Sequence, residues 1–321
     1  MDFDSMIKTE DTDIFYETWR DYRDNLTDYI ISAVEDYYRK KKLKAIGKRQ
    51  FFTAYDIEDI CKEWMKTPSL AIWGAGGCND IDIVRLSKYF NLVLIDYDIE
   101  KIEKTREKFE ISSERCYCVD LKFWDITRDD FLMFEALVKD NAPLEDVEKF
   151  MEELIAHNKE FKYLDLPKFD FSVVVGLASQ LNSRFASLAY IHNYQKDIFS
   201  MLNKLNICGV DNLTNAVNAM TDKLIIYGYE TRVIYEAEFG AGKNLVEEMN
   251  EDLELALVGG HEEWIWNQVL EVAGNDILQK KVLQDIEAGV LSYVGGKYLL
   301  WNFTFEKNYI MTLRALQKKN L

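Results

Sequence analysis

The sequence predicts a doubly wound α/β sheet, and three observations carry that reading. Beyond Pro68, five short apolar runs alternate with amphipathic segments, as strands of a largely parallel sheet do when helices cover both faces. A glycine-rich turn, Gly74-Ala75-Gly76-Gly77, directly follows the first run. The chain closes on Tyr298–Phe305 and Tyr309–Leu316, which read as a hairpin turning at Glu306-Lys307.

Composition bounds the class before any motif does. The chain has 321 residues, of which 48% are hydrophobic and only three are proline, which suits a compact fold with a substantial core. Lys and Arg number 39 against 56 Asp and Glu, a formal charge of −17 that repels phosphate backbones and speaks against a nucleic-acid substrate. The one basic stripe, Arg39 to Lys42 with Lys44, Lys48 and Arg49, reads as the positive end of a helix. No apolar run is long enough to cross a membrane, and the acidic start (MDFDSMIKTEDTD) lacks the pattern of a secretory signal, so a cytoplasmic location with no membrane partner is expected. Cys61, Cys78, Cys116, Cys118 and Cys208 contain no C-x-x-C, which favours reduced thiols over a disulfide framework or a zinc site; no metal is expected.

Taken in order, residues 11–45 place Phe15, Trp19, Tyr22, Leu26, Ile30, Ala33 and Tyr37 at helical spacing, and Asp56 to Trp64 resumes it after a break near Gly47. Residues 1–67 therefore read as a cap of two or three helices, set off by Pro68 from a second unit over 68–321. The five strands are expected at Leu70–Trp73, Leu92–Ile95, Cys116–Val119, Phe171–Val175 and Leu224–Tyr227. Residues 122–168 are too long for a simple connection, and their helical spacing, interrupted at Pro143, predicts an inserted helical hairpin. One helix is expected over Ala186–Leu202, and further helices over Leu245–Leu257, Glu262–Val272 and Ile277–Ala288.

The glycine turn lets the backbone bend sharply against a ligand, and a helix directly after it would offer free N–H groups. A dinucleotide fingerprint needs a third glycine where Asn79 stands, so the pattern does not support close packing against a pyrophosphate. The second run ends in Asp96-Tyr97-Asp98, about 20 residues on, where a carboxylate can accept two ribose hydroxyls or cap a helix. Asp80 and Asp82 can stabilise the first turn of a helix or contact a ligand.

These residues resemble the class I S-adenosylmethionine-dependent methyltransferases, whose glycine turn follows strand one, whose strand two ends in a ribose-binding acid, and whose strand three is followed by an acid facing the adenine amine. The wording Gly74-Ala75-Gly76-Gly77-Cys78-Asn79-Asp80 looks like a bacterial subgroup with a GAGxxND turn. The resemblance implies a Rossmann-like seven-stranded sheet with an antiparallel last strand. It also implies S-adenosylmethionine as cofactor, giving S-adenosylhomocysteine, and a transferase activity. The cofactor residues it points to are Gly74, Ala75, Gly76, Asn79, Asp80, Asp96 with Tyr97, and Asp120 with Leu121. Gly176, Leu177 and Ser179 in the segment Gly176 to Leu181 complete that set. The chain departs from the family at Ile72, where an acid is usual.

Methyl transfer is an in-line displacement that mainly requires alignment and exclusion of water, with a base only where the acceptor carries a proton. Candidates near strands four and five are His192, Tyr194, Tyr229 and Glu230; His157 falls in the insertion and His261 after Gly259-Gly260. Trp264, Trp266 and Trp301 offer an aromatic cage for a cationic amine, although core packing explains most tryptophans more cheaply. The expected function is methylation of N or O on a small-molecule or peptide or protein acceptor. The alternatives are aminopropyl or aminocarboxypropyl transfer on the same fold, and a non-catalytic partner subunit that binds the sulfonium nucleoside.

Overall fold

A computed structural model describes residues 16–47, 67–120, 126, 128–159, 167–235, 239–259, 275–304 and 307–319. In chain order the elements are α1 (Arg20–Gly47), β1 (Ser69–Trp73), α2 (Ile83–Leu86), β2 (Asn91–Asp96), α3 (Ile99–Lys108) and β3 (Cys116–Asp120). There follow α4 (Arg128–Lys139), α5 (Leu144–Lys159), β4 (Phe169–Val175), α6 (Ser183–Ile191), α7 (Gln195–Met220) and β5 (Thr221–Tyr235). The chain ends in α8 (Phe239–Gly259), α9 (Asn275–Glu287), β6 (Leu291–Trp301) and β7 (Lys307–Lys318).

The seven strands form one sheet in the order β3-β2-β1-β4-β5-β7-β6. The first five are parallel, and β7 runs antiparallel to both β5 and β6, so the fold is the Rossmann-like doubly wound sheet that the sequence predicts. The order reverses between β1 and β4, which opens a crevice at the carboxyl ends of the central strands.

Period-two alternation along each strand divides the core in two. One face carries Leu70, Ile72, Leu94, Val173, Ile226 and Leu313, and it is covered by Leu26 and Ile30 of α1, Ile83 of α2 and Ile102 of α3. The other carries Ala71, Trp73, Ile95, Val174, Ile225 and Tyr227 under α7, α8 and α9. Leu26 and Ile30 are fully buried, each contributing about 1.5–3 kcal/mol, so α1 is part of the sheet's own core. The basic stripe begins in the last turns of α1, as expected; the proposed helix at Asp56–Trp64 lies outside the described residues.

The insertion is a helical hairpin turning at Pro143, with its own core of Phe134, Val147, Met151 and Leu154 packed on Phe185 of α6 and Leu202 of α7. Two expectations are corrected here. The single helix over Ala186–Leu202 is two helices, because Asn193 adopts φ +65° and the Tyr194 N–H closes back on the Ala189 carbonyl (2.8 Å), which ends α6. The fifth strand is far longer than its apolar run, since Thr221–Tyr235 pairs with β7 along nearly its whole length.

Candidate active site

The glycine turn sits at the carboxyl end of β1 and is built by backbone geometry rather than by a helix. Gly74 has φ +72° and Gly76 φ +50°, conformations that a Cβ disfavours. The N–H groups of Gly74 and Ala75 donate to the Ile95 carbonyl at 2.8 and 3.1 Å, pinning the turn to β2. A Cβ on Gly74 would stand 2.8 Å from Leu177 Cδ1, so the segment after β4 packs directly on the turn.

The expected helix with free N–H groups does not follow the turn. Cys78, buried at φ +50°, keeps the chain turning, and α2 begins only at Ile83 and has four residues. Asp82 is its cap, accepting from the Arg85 N–H at 2.9 Å, while the Asp82 N–H is taken by Thr27 Oγ1 at 3.0 Å. Asp82 is therefore a capping residue. Asp80 instead lines a small cavity beneath the turn with Leu26, Ile72, Gly74 and Val175, and burial pushes its carboxyl up to about 6 against the pull of Arg23.

At the end of β2 the two aspartates divide the work. Asp98 caps α3, accepting from the Lys101 N–H at 3.0 Å. Asp96 is almost fully buried, its Oδ2 accepting the Gly76 N–H at 2.8 Å and its Oδ1 the Asp98 N–H at 3.1 Å. Each oxygen keeps a further lone pair, so the carboxylate holds the turn and can still accept ligand hydroxyls. Parallel register sets Asp96 beside Asp120 on β3, and Tyr97, 78% exposed, flanks the pair. Leu121 lies outside the described residues, as do His261, Trp264 and Trp266. Lys101 was not read as a site residue, yet its Nζ stands 3.9 Å from where a Cβ on Gly76 would be. Its position in the first turn of α3, directly after Asp98, is the signal in the sequence.

A second group of side chains gathers where β4 and β6 end beside the middle of the long strand β5. Gly176, at φ +64°, donates its N–H to the Gly228 carbonyl at 2.9 Å, and Ser179 Oγ donates to Glu230 Oε1 at 3.0 Å. Asn275 of α9 donates its amide to Glu230 Oε2 at 2.9 Å and to the Glu230 carbonyl at 2.8 Å. A bulge between Glu230 and Arg232 interrupts the pairing with β7 just beyond this point. A Cβ on Gly176 would lie 3.7 Å from Glu230 Oε1 and 4.0 Å from the Trp301 ring. Nothing local in the sequence marks Asn275, which reaches Glu230 from 45 residues away.

Helix α1 lies over this group. Tyr22 stacks on Trp301 at 5.1 Å between centroids, and Trp19 meets the same ring edge-on. Arg23 donates to the Asn79 carbonyl at 3.2 Å and to the Tyr16 carbonyl, and Arg85 of α2 pairs with Asp28. The helix is thus tied to the glycine turn by side chains the sequence showed only as a helical pattern.

The other acceptor candidates fall elsewhere. Tyr229 faces the opposite side of the sheet from Glu230, as strand alternation requires; its hydroxyl donates to Gln279 at 3.0 Å, and burial pushes its pKa up to about 12. His192 caps the carboxyl end of α6, the end remote from β4. Tyr194 donates to the Ala142 carbonyl at 2.6 Å and so fastens the insertion to the start of α7. His157 lies in the last turn of α5.

No protein-family model and no curated protein matches the chain. Solved structures that match over most of its length include the N-methyltransferase NodS from Bradyrhizobium japonicum WM9 in complex with S-adenosyl-L-homocysteine (12% identity, 78% of each chain, TM-score 0.34). The magnesium protoporphyrin IX methyltransferase ChlM from Synechocystis PCC 6803 with bound S-adenosyl-L-homocysteine matches at 9% identity over 92% of this chain and 98% of its own, TM-score 0.33. The glycopeptide N-methyltransferase MtfA complexed with S-adenosyl-L-methionine matches at 8% identity over 81% and 86%, TM-score 0.36. At such scores and identities these likenesses assign neither an activity nor a ligand to this chain.

Proposed function

We propose that the protein is an S-adenosylmethionine-dependent methyltransferase acting on a nitrogen or oxygen of a small-molecule, peptide or protein acceptor. The observation that carries the reading is the pair Asp96 and Asp120, in register at the carboxyl edge of β2 and β3 beside a left-handed glycine turn. The crevice at the switch point of such a sheet is where ligands bind.

The residues present suit the sulfonium nucleoside. Asp96 has spare acceptor capacity for ribose hydroxyls, Tyr97 offers an exposed ring beside it, and Asp120 stands at the neighbouring strand end for the adenine amine. Gly74 and Gly76 are bare backbone at the turn and Ala75 adds a single methyl, and we assign Asn79 and Asp80, in the turn that follows, to the same cofactor set. Gly176, Leu177 and Ser179 close the opposite wall. When bound, the sulfonium supplies an electrophilic methyl carbon. The chain's part is to hold an acceptor lone pair in line, exclude water under α1, and receive a proton at Glu230 when the acceptor carries one. The charge of −17 supports an acceptor other than a nucleic acid.

Thermal unfolding with and without ligand tests this directly, because a ligand that binds only the native state raises stability by about 2.7 kcal/mol at a hundredfold excess over its dissociation constant. S-adenosylmethionine and S-adenosylhomocysteine should both raise the melting temperature, and NAD should not. A rise with NAD alone would overturn the reading.

A further inference from the structure

The cavity beneath the glycine turn has one charged wall. Leu26 of α1, Ile72 and Gly74 of β1 and its turn, and Val173 and Val175 of β4 enclose it, and Asp80 is the only ionisable residue that borders it. Arg23 is the basic group that acts on Asp80, yet its guanidinium donates to the Tyr16 and Asn79 carbonyls and lies 3.6 Å from the centre of the Tyr16 ring. A carboxylate set against an apolar cavity without a bonded countercharge is costly, and such groups are ordinarily paired. Strand order decides what can reach it. Along the carboxyl edge of the sheet Asp120 ends β3, Asp96 ends β2, the glycine turn ends β1, and the cavity lies between β1 and β4. Three strand spacings, about 14 Å, separate β3 from β4. A nucleoside whose base meets Asp120 and whose ribose meets Asp96 therefore sends its 5′ substituent over the glycine turn toward Asp80.

We infer that Asp80 receives the α-ammonium of the cofactor's amino-acid tail in this cavity, and that the contact makes the site selective for nucleosides that carry an ammonium there. The inference rests on the methyltransferase reading and deepens it. S-adenosylmethionine brings two cations, and they differ in what they offer a carboxylate. The sulfonium has no hydrogen to donate, whereas the ammonium presents three N–H donors to the Asp80 oxygens and supplies the countercharge that the cavity walls lack. The product nucleoside keeps the ammonium and loses the sulfonium charge. Asp80 therefore holds the cofactor equally before and after transfer, which places its contribution in binding rather than in the displacement step.

The test is calorimetric titration of the full chain and of Asp80→Asn, which keeps the shape of the side chain and removes its charge. The probes are S-adenosylmethionine, S-adenosylhomocysteine, and the analogue of S-adenosylhomocysteine in which hydrogen replaces the α-amino group. The native protein should bind S-adenosylhomocysteine at least about tenfold more tightly than its deaminated analogue, and Asp80→Asn should reduce that preference to about twofold or less. The deaminated analogue should bind both proteins alike. Asp80→Asn should weaken S-adenosylmethionine and S-adenosylhomocysteine by the same factor. A native protein with no preference for the ammonium, or an Asp80→Asn protein that keeps the whole preference, would overturn the proposal and leave the methyltransferase reading standing. A loss confined to S-adenosylmethionine would overturn it too, since the carboxylate would then face the sulfonium. Absence of binding by all three probes to the native protein sinks the methyltransferase reading and this proposal with it.

Discussion

The Asp96 carboxylate accepts the N–H of Gly76 at 2.8 Å, so the acid that ends β2 holds in place the glycine turn that ends β1. Shape and chemistry at the crevice are therefore coupled through one side chain. Asp96→Asn retains an acceptor oxygen for Gly76 but loses the charge, whereas Asp96→Ala leaves two backbone donors unmatched. We expect Asp96→Ala to cost about 1.5–3 kcal/mol in urea unfolding and Asp96→Asn distinctly less. Equal losses would mean that the hydrogen bond to Gly76 contributes nothing.

Gly74 combines φ +72° with a Cβ position only 2.8 Å from Leu177 Cδ1. Gly74→Ala should therefore destabilise by about 1–3 kcal/mol, and adding Leu177→Ala should recover only the part due to crowding, because the backbone strain remains. Thermal melts of both variants measure the split, and a Gly74→Ala protein as stable as the native one would refute it.

Asp80 gives the clearest pH signature. Its folded-state pKa is raised from 3.8 to about 6, so between these values the folded protein binds more protons than the unfolded chain. Its contribution to stability is thus fully present below pH ~4 and lost as the pH rises through ~6. Asp80→Asn should match the native protein near pH 4 and exceed it in stability at pH 8, as measured by denaturant titration at each pH. A gap that widens toward low pH would reverse the assignment.

Helix α1 is tied to the glycine turn through Arg23 and Thr27. Arg23→Ala should speed amide exchange of residues 78–82 while leaving β4 and β5 protected, as followed by hydrogen–deuterium exchange. Uniform protection in the variant would show that α1 is held by its apolar face alone.

Much of the fold was legible because it depends on short-range pattern. Runs such as Leu92–Ile95 are strands buried on two faces, and Pro143 between amphipathic stretches marks the hairpin of the insertion. The break at Asn193 was not legible, since a left-handed asparagine is a backbone choice made where α6 and α7 pack on the insertion. The same division holds at the site. Gly74, Gly76 and Asp96 stand in a local motif, and the structure brings them together. Tyr22, Arg23 and Asn275 arrive from distant segments, and helical spacing described Tyr22 only as a core position. Alternation along β5 was enough to separate Glu230 from Tyr229, but only the position of α1 shows which face carries the site.

The most direct measurement is calorimetric titration of S-adenosylhomocysteine into the native protein and Asp96→Ala, with NAD as control. Micromolar binding to the native protein, about 8 kcal/mol, that falls at least about tenfold in Asp96→Ala with no heat from NAD is the result the Asp96–Asp120 edge predicts. Absence of binding to the native protein, or binding that Asp96→Ala leaves intact, would contradict it.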